Sequence, residues 1–177
     1  MITNKQELKE YLRVDAKANK FDEGILPLFK IQRKYLRRLR KTEYLMNCKP
    51  RSLRTLFSRF LLNNLGTKTG WTIPPNVFGK GLYVPHYGTI IVNHTSRFGD
   101  NCVLQCGINI SEGASGGNRL YFAAGSKVMK NVYIADGVII GANAVVTKSV
   151  LEPDVVVAGI PAKIISKNGF LSRTTPI

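Results

Sequence analysis

Residues 78–146 read FGKGLYVPHYGTIIVNHTSRFGDNCVLQCGINISEGASGGNRLYFAAGSKVMKNVYIADGVIIGANAVV, and a large apolar residue returns through this stretch every six positions. In register the markers are Phe78 and Val84, then Val92, Phe98, Leu104 and Ile110, then Phe122, Val128, Ile134, Ile140 and Val146, with one eight-residue step from Val84 to Val92. A period of six fits neither a helix at about 3.6 nor a lone strand at about 2. It fits a short strand plus a corner. Three such units close one coil of about 18 residues, and the markers of one coil stack on those of the next. The stretch predicts a parallel β-helix with a narrow triangular core, preceded by a small helical region; the fold class is mainly β.

Four places after most markers the residue is small or β-branched, as at Ser96, Cys102, Ser126, Val132, Val138 and Ala144, which predicts a second inward row. One place after them stand Gly79, Gly99, Ala135 and Gly141, where the backbone must come close to something. The markers lapse between Ile110 and Phe122. There Ser111 to Arg119 is polar and glycine-rich, and it predicts an excursion loop leaving the prism.

The 177 residues allow one medium domain and an appendage. Residues 1–70 form the expected helical region, 71–165 the β-helix and 166–177 a loose tail. Asn4 and Glu7 suggest a capping box for a first helix to about Asn19, with Leu8, Tyr11, Leu12 and Ala16 as its apolar stripe. Gly24 breaks it. A second helix starts at Pro27, turns Leu28, Ile31, Tyr35, Leu36, Leu39 and Leu45 inward, and carries Arg33, Lys34, Arg37, Arg38, Arg40 and Lys41 on its outer face. Ser52 caps a third, running through Leu53, Leu56, Phe57, Phe60 and Leu61 until Gly66 stops it. This unit is too thin to cover all its faces, so it is expected to pack on the prism or on another subunit.

The formal charge of +15 is concentrated at the front: residues 1–70 hold 17 Lys and Arg against 6 Asp and Glu, and residues 71–177 hold 9 against 5. The basic helix over residues 27–46 reads either as a solvated face or as a place for peripheral membrane association. Nucleic acid is set aside, because no stacking motif or groove-reading helix accompanies the charge. The opening Met1 to Lys5 has no apolar core of a signal peptide, and no stretch approaches ~18 apolar residues, so the expected location is the cytoplasm, at most its membrane surface.

Cys48, Cys102 and Cys106 are odd in number and lack metal spacing, and with only His86 and His94 no three-histidine site can form in one chain. No metal is expected. His86 lies at the register break, beside Gly88, where regular packing asks for no imidazole; His94 occupies an outward slot on another face.

The segments Gly79 to Val92, Ser115 to Arg119, Ile140 to Val146 and Ala158 to Lys163 together resemble the hexapeptide-repeat acyltransferases, and within them the serine acetyltransferase-like branch. The resemblance covers residues 71–165 well and the helical front more loosely. It implies a left-handed parallel β-helix, a homotrimer extended to a higher oligomer through the N-terminal helices, and acetyl-CoA in the groove between adjacent prisms. It implies His86 as catalytic base and Ala124, Gly141, Ala142 and Lys163 as cofactor-binding residues, with Arg119, Asn118 and His94 toward the acceptor. The acid that orients the base in that branch falls at Trp71, a second acid at Pro85, and its second loop histidine at Leu120. Another partner for His86 is then needed, a main-chain carbonyl or Asp100. The missing acids favour a sugar hydroxyl of surface polysaccharide synthesis as acceptor over serine. A catalytically idle binding or assembly module is the reading from another class, and the terminal Ile177 resembles the residue that some serine acetyltransferases insert into a partner sulfhydrylase.

Overall fold

The computed structural model describes residues 1–21 and 30–170. The breaker at Gly24, the helix start at Pro27 with Leu28, and Ile177 lie outside the described residues.

Three helices come first: α1 (Lys5–Ala18), α2 (Ile31–Cys48) and α3 (Leu53–Thr69). Asn4 Oδ1 accepts from Glu7 N at 2.9 Å, while Glu7 Oε2 accepts from Thr3 N and Thr3 Oγ1 at 2.6 and 2.9 Å. The carboxylate thus reaches one residue further back than a capping box requires. Gly66 does not stop α3. The helix runs on to Thr69 and ends at Gly70, whose φ of 77° is the left-handed cap that glycine adopts without strain. Gly66 is small for another reason: a Cβ there would stand 2.7 Å from Trp71 O, where the helix meets the prism.

The strands follow as β1 (Trp71–Thr72), β2 (Ile90–Val92), β3 (Arg97–Phe98), β4 (Val103–Leu104), β5 (Ile108–Ile110), β6 (Ser115–Gly116), β7 (Tyr121–Phe122), β8 (Lys127–Val128), β9 (Tyr133–Ile134), β10 (Ile139–Ile140), β11 (Val145–Val146), β12 (Val156–Gly159) and β13 (Ala162–Ser166). They wind into a left-handed parallel β-helix. Its first face is ordered β1-β2-β5-β8-β11, its second β3-β6-β9, and its third β4-β7-β10-β12 closed by antiparallel β13. Pairs such as Ile90 with Ile108 and Leu104 with Phe122 are one coil apart in register. All eleven markers are buried; Phe78 stacks on Phe98 and Phe98 meets Phe122 edge to face, with centroids 5.2 and 5.4 Å apart.

The expected excursion at residues 111–119 is absent. β6 lies in register between β3 and β9, with Phe98, Gly116 and Ile134 aligned, so this segment is an ordinary face of the prism. Gly116 takes the marker place because its neighbours fill it. A Cβ there would stand 2.8 Å from Leu120 Cδ1 and 3.1 Å from Phe98 Cδ1, and Leu120 is wholly buried. The lapse in the pattern is a large-for-small exchange within one layer.

At the corner between the second and third faces, Asp100 Oδ1 accepts from Lys80 N (3.0 Å), Asn118 Oδ1 from Asp100 N (2.9 Å) and Asp136 Oδ1 from Asn118 N (2.9 Å). This ladder explains two of the glycines that follow the markers, Gly79 and Gly99. A Cβ at Gly79 or Gly99 would collide with Asp100 Oδ1 or Asn118 Oδ1, at 2.0 and 2.3 Å.

Arg40 does not belong to the outer face of α2. It is fully buried, and all its N–H groups are used: Nε donates to Asp15 Oδ2 at 2.7 Å, Nη1 to Glu43 and to Phe78 O, and Nη2 to Asp15 Oδ1 and to Gly79 O. Asp15 also accepts from Gly81 N and Leu82 N, and Glu43 from Asn76 N. One guanidinium therefore ties α1, α2 and the first coil together. Burial works against its charge, but Glu43 and Asp15 outweigh that and move its pKa up. At the end of the described residues, Gly169 N and Phe170 N donate to Asp154 O and Gly137 O on the last coils.

Candidate active site

Tyr83 is level with Val103 and Ile90 with Ile108, so seven steps of the first coil stand against five of the second. Both flanks are locked in register, and the two surplus residues have nowhere to go but out. His86 and Tyr87 form the exposed tip of this bulge. Gly88 N returns the chain inward by donating to Thr69 O at 3.4 Å.

Beyond the bulge, the same edge of the prism carries one small residue per coil. A Cβ at Gly88 would stand 3.1 Å from Cys106 Cβ; Gly125 N donates to Cys106 O, and Asn143 N to Ala124 O. Gly88, Cys106, Ala124 and Ala142 thus form a column at 18-residue spacing, with Ala124 and Ala142 exposed. Gly141 sits 3.0 Å, measured from an added Cβ, below Ala158 Cβ, and Ala158 pairs with Lys163 on the closing hairpin. The edge therefore runs from an imidazole to an ammonium group. Four coil steps separate them, roughly 19 Å at about 4.8 Å per step.

Four of the expected residues, Ala124, Gly141, Ala142 and Lys163, share this edge with His86. The other three do not. Asn118 and Arg119 lie on the corner between the second and third faces. Asn118 spends its amide on the ladder, accepting from Asp100 N and donating to Asp136 Oδ2, and Arg119 Nη2 approaches Asp136 Oδ2 at 3.9 Å. Asn118 N–H, then its side-chain amide, with Arg119 adding attraction, hold the Asp136 carboxyl below its ordinary value. His94 sits on the remaining corner, at the mouth of a cavity of about 900 Å³ between α3 and the first face, lined also by Trp71, Ile91, Arg59 and Arg97. Within one chain the residues expected to meet the acceptor are thus spread over three edges.

Neither Asp100 nor the residue at the place of the branch's orienting acid, Trp71, can orient His86 within the chain. Trp71 is buried edge-on to Tyr35, with centroids 5.1 Å apart, and its indole N–H can only donate. Asp100 is committed to Lys80 N on another corner. Leu120, where the related branch carries its second loop histidine, is a core residue filling the space above Gly116. Cys106 and Gly88 are the members of the edge that motif reading passes over. Their 18-residue spacing to Ala124 and Ala142 is the signal that carries them. Among the described residues no group of His, Cys, Asp and Glu could hold a metal ion.

No protein-family profile matches the chain. It is 32% identical over 118 residues to a serine acetyltransferase of Synechococcus elongatus, covering 62% of this chain and 47% of that protein. It is 35% identical over 112 residues to one of Staphylococcus epidermidis, covering 57% and 51%. The chain spans about half the length of the curated relatives it matches. Among solved structures, serine acetyltransferase of Brucella abortus strain S19 in complex with coenzyme A superposes with a TM-score of 0.76 at 26% identity, over 94% of this chain and 70% of that one. A Neisseria gonorrhoeae serine acetyltransferase in complex with serine shares the fold, with a TM-score of 0.72 at 23% identity over 92% and 70% of the chains. The chain has the hexapeptide-repeat β-helix fold and is similar to serine acetyltransferases in both sequence and structure. None of these relatives is named for the sugar hydroxyl expected from the missing acids.

Proposed function

We propose that the chain is an acetyl-CoA-dependent O-acetyltransferase whose acceptor is the hydroxyl of serine. The observation that carries this reading is the bulge that lifts His86 out of register at the head of a column of small side chains. The exposed methyls of Ala124 and Ala142 leave room for an extended pantetheine arm along the edge, and Lys163 at its far end suits the phosphates of the nucleotide.

The chemistry follows from an imidazole and an alcohol. Neutral His86 takes the hydroxyl proton as the serine oxygen attacks the thioester carbonyl carbon; the tetrahedral intermediate collapses, the C–S bond breaks, and the thiolate leaves with the proton that His86 returns. The ester and free CoA are the products, and no covalent enzyme intermediate is needed. Positioned proton transfer of this kind contributes on the order of 100- to 10,000-fold.

A second copy completes the site in this reading. The spread of His86, His94 and Arg119 over three edges supports a trimer, in which a groove between prisms sets one copy's His86 edge against a different edge of its neighbour. With Asp100 committed to Lys80 N and Trp71 buried with only an N–H to offer, the group orienting His86 is a main-chain carbonyl or a side chain from that neighbour.

The test is a direct acceptor screen. Purified protein with acetyl-CoA and a thiol-detecting dye is offered serine, other hydroxy amino acids, nucleotide sugars and oligosaccharides. Serine-dependent thiol release supports the proposal; release with a saccharide and none with serine returns the acceptor to a sugar hydroxyl. Absence of any CoA-induced shift in Tm would overturn the enzyme reading in favour of an idle module.

A further inference from the structure

Helix α3 is built inside out. Toward α2 it buries Thr55 and Ser58 alongside Leu62, with Ser58 Oγ 2.7 Å from Thr42 Oγ1. Toward solvent it turns Leu53, Leu56, Phe57 and Phe60, which are 83, 57, 62 and 63% exposed. A folded chain leaves four large apolar side chains side by side on one helix face when something else covers them. Helical spacing places Phe57, Leu61, Asn64 and Lys68 on one line, so the apolar stripe continues into the groove between α2 and α3. That groove is lined by Leu61, Asn64, Leu65 and five cations, Lys34, Arg37, Arg38, Lys41 and Lys68, with no acidic residue.

We propose that this α2–α3 face docks on an anionic lipid bilayer, the stripe entering the headgroup boundary while the basic groove holds lipid phosphates. A second copy of the same face is the wrong occupant. Isologous packing would bring two sets of five cations together within a Debye length of about 10 Å, with no acids to offset them. An anionic surface neutralises the groove and takes up the stripe at once, the combination by which interfacial helices bind. No helix among the described residues is long and apolar enough to cross a membrane, so the attachment is peripheral. The inference does not rest on acetyl transfer.

The experiment is co-sedimentation of the full chain with vesicles of phosphatidylcholine alone or mixed equally with phosphatidylglycerol, at low and raised salt. Binding to the anionic vesicles is expected, weakened by salt. Phe57→Ser with Phe60→Ser is expected to reduce partition at least about tenfold, and Arg37→Gln with Arg38→Gln to do likewise, with Tm and mass in solution unchanged. Failure to bind anionic vesicles overturns the proposal. Equal binding by the Phe57→Ser/Phe60→Ser variant overturns it in favour of adsorption by charge alone. A fall in solution mass of that variant overturns it in favour of an interface between copies. Serine-dependent CoA release, measured without vesicles, reports on the acetyltransferase reading separately, and both double variants should retain it.

Discussion

Arg40 Nε lies 2.7 Å from Asp15 Oδ2, and this buried pair joins two helices and, through the carbonyls of Phe78 and Gly79, the first coil of the prism. With Glu43 the cluster holds two carboxylates around one guanidinium, and the further negative charge is met by the N–H groups of Asn76, Gly81 and Leu82. A buried charge cluster of this kind often adds little net stability over apolar packing, but removing one partner leaves the other charges buried and unpaired.

Arg40→Met is expected to cost about 3–5 kcal/mol, because it strands two buried carboxylates. Chemical denaturation measures it. Arg40→Lys should recover little, as one ammonium cannot reach all the acceptors. A loss below about 1 kcal/mol would show that the cluster does not hold the helices in place.

His86→Ala should lower kcat/KM for serine by at least about a hundredfold with Tm unchanged, because the side chain is exposed at the tip of the bulge. Steady-state kinetics and a melting curve together decide it. Near-normal turnover removes His86 from the role of base.

Ala142→Leu, on the exposed edge, should raise KM for acetyl-CoA at least about tenfold while kcat at saturation changes less. Stability should stay within about 0.5 kcal/mol of the parent. An unchanged KM would place the thioester elsewhere.

Cys106 and Cys102 should label at very different rates. Burial pushes the Cys102 thiol up to about 12, so it is un-ionised at neutral pH, whereas Cys106 is half-buried in the small-residue column. Timed alkylation read by mass spectrometry should show Cys106 modified first and slowed by added CoA. No protection by CoA would argue against the column as its seat.

Asp136 predicts part of the acid response. Its folded-state pKa lies below the unfolded one, so its contribution is present above the ordinary carboxylate value near ~3.9 and disappears as pH falls through the folded value. Asp136→Asn keeps an acceptor for Asn118 N but does not titrate. Its Tm should fall less steeply than the parent's below about pH 4. Superimposable curves would exclude this group from acid unfolding.

Much of the prism was legible because a six-residue period leaves each marker one place to go, and all eleven went there. The misreadings have local causes. Gly116 broke the pattern because Leu120 supplies its volume from four residues on, which spacing alone does not reveal. The charge of Arg40 points to the outer face, although Leu36, Arg40 and Glu43 share one helical line with the inward Leu39 beside it. On α3, capping and helicity were readable and the direction of its apolar face was not, because Thr55 and Ser58 hydrogen-bond beneath it.

The sequence by itself determined the coil, its triangular core and the surplus that displaces His86, since these follow from counting residues between positions that must face inward. Only the tertiary structure decided which edge each polar residue occupies, and so that His86 shares its edge with Ala124, Ala142 and Lys163 but not with Asn118, Arg119 or His94. It also decided that Arg40 is a buried tie. Periodicity fixes which residues point in and at what spacing; how outward groups meet across coils, corners and helices depends on contacts between residues far apart in the chain, which no local pattern encodes.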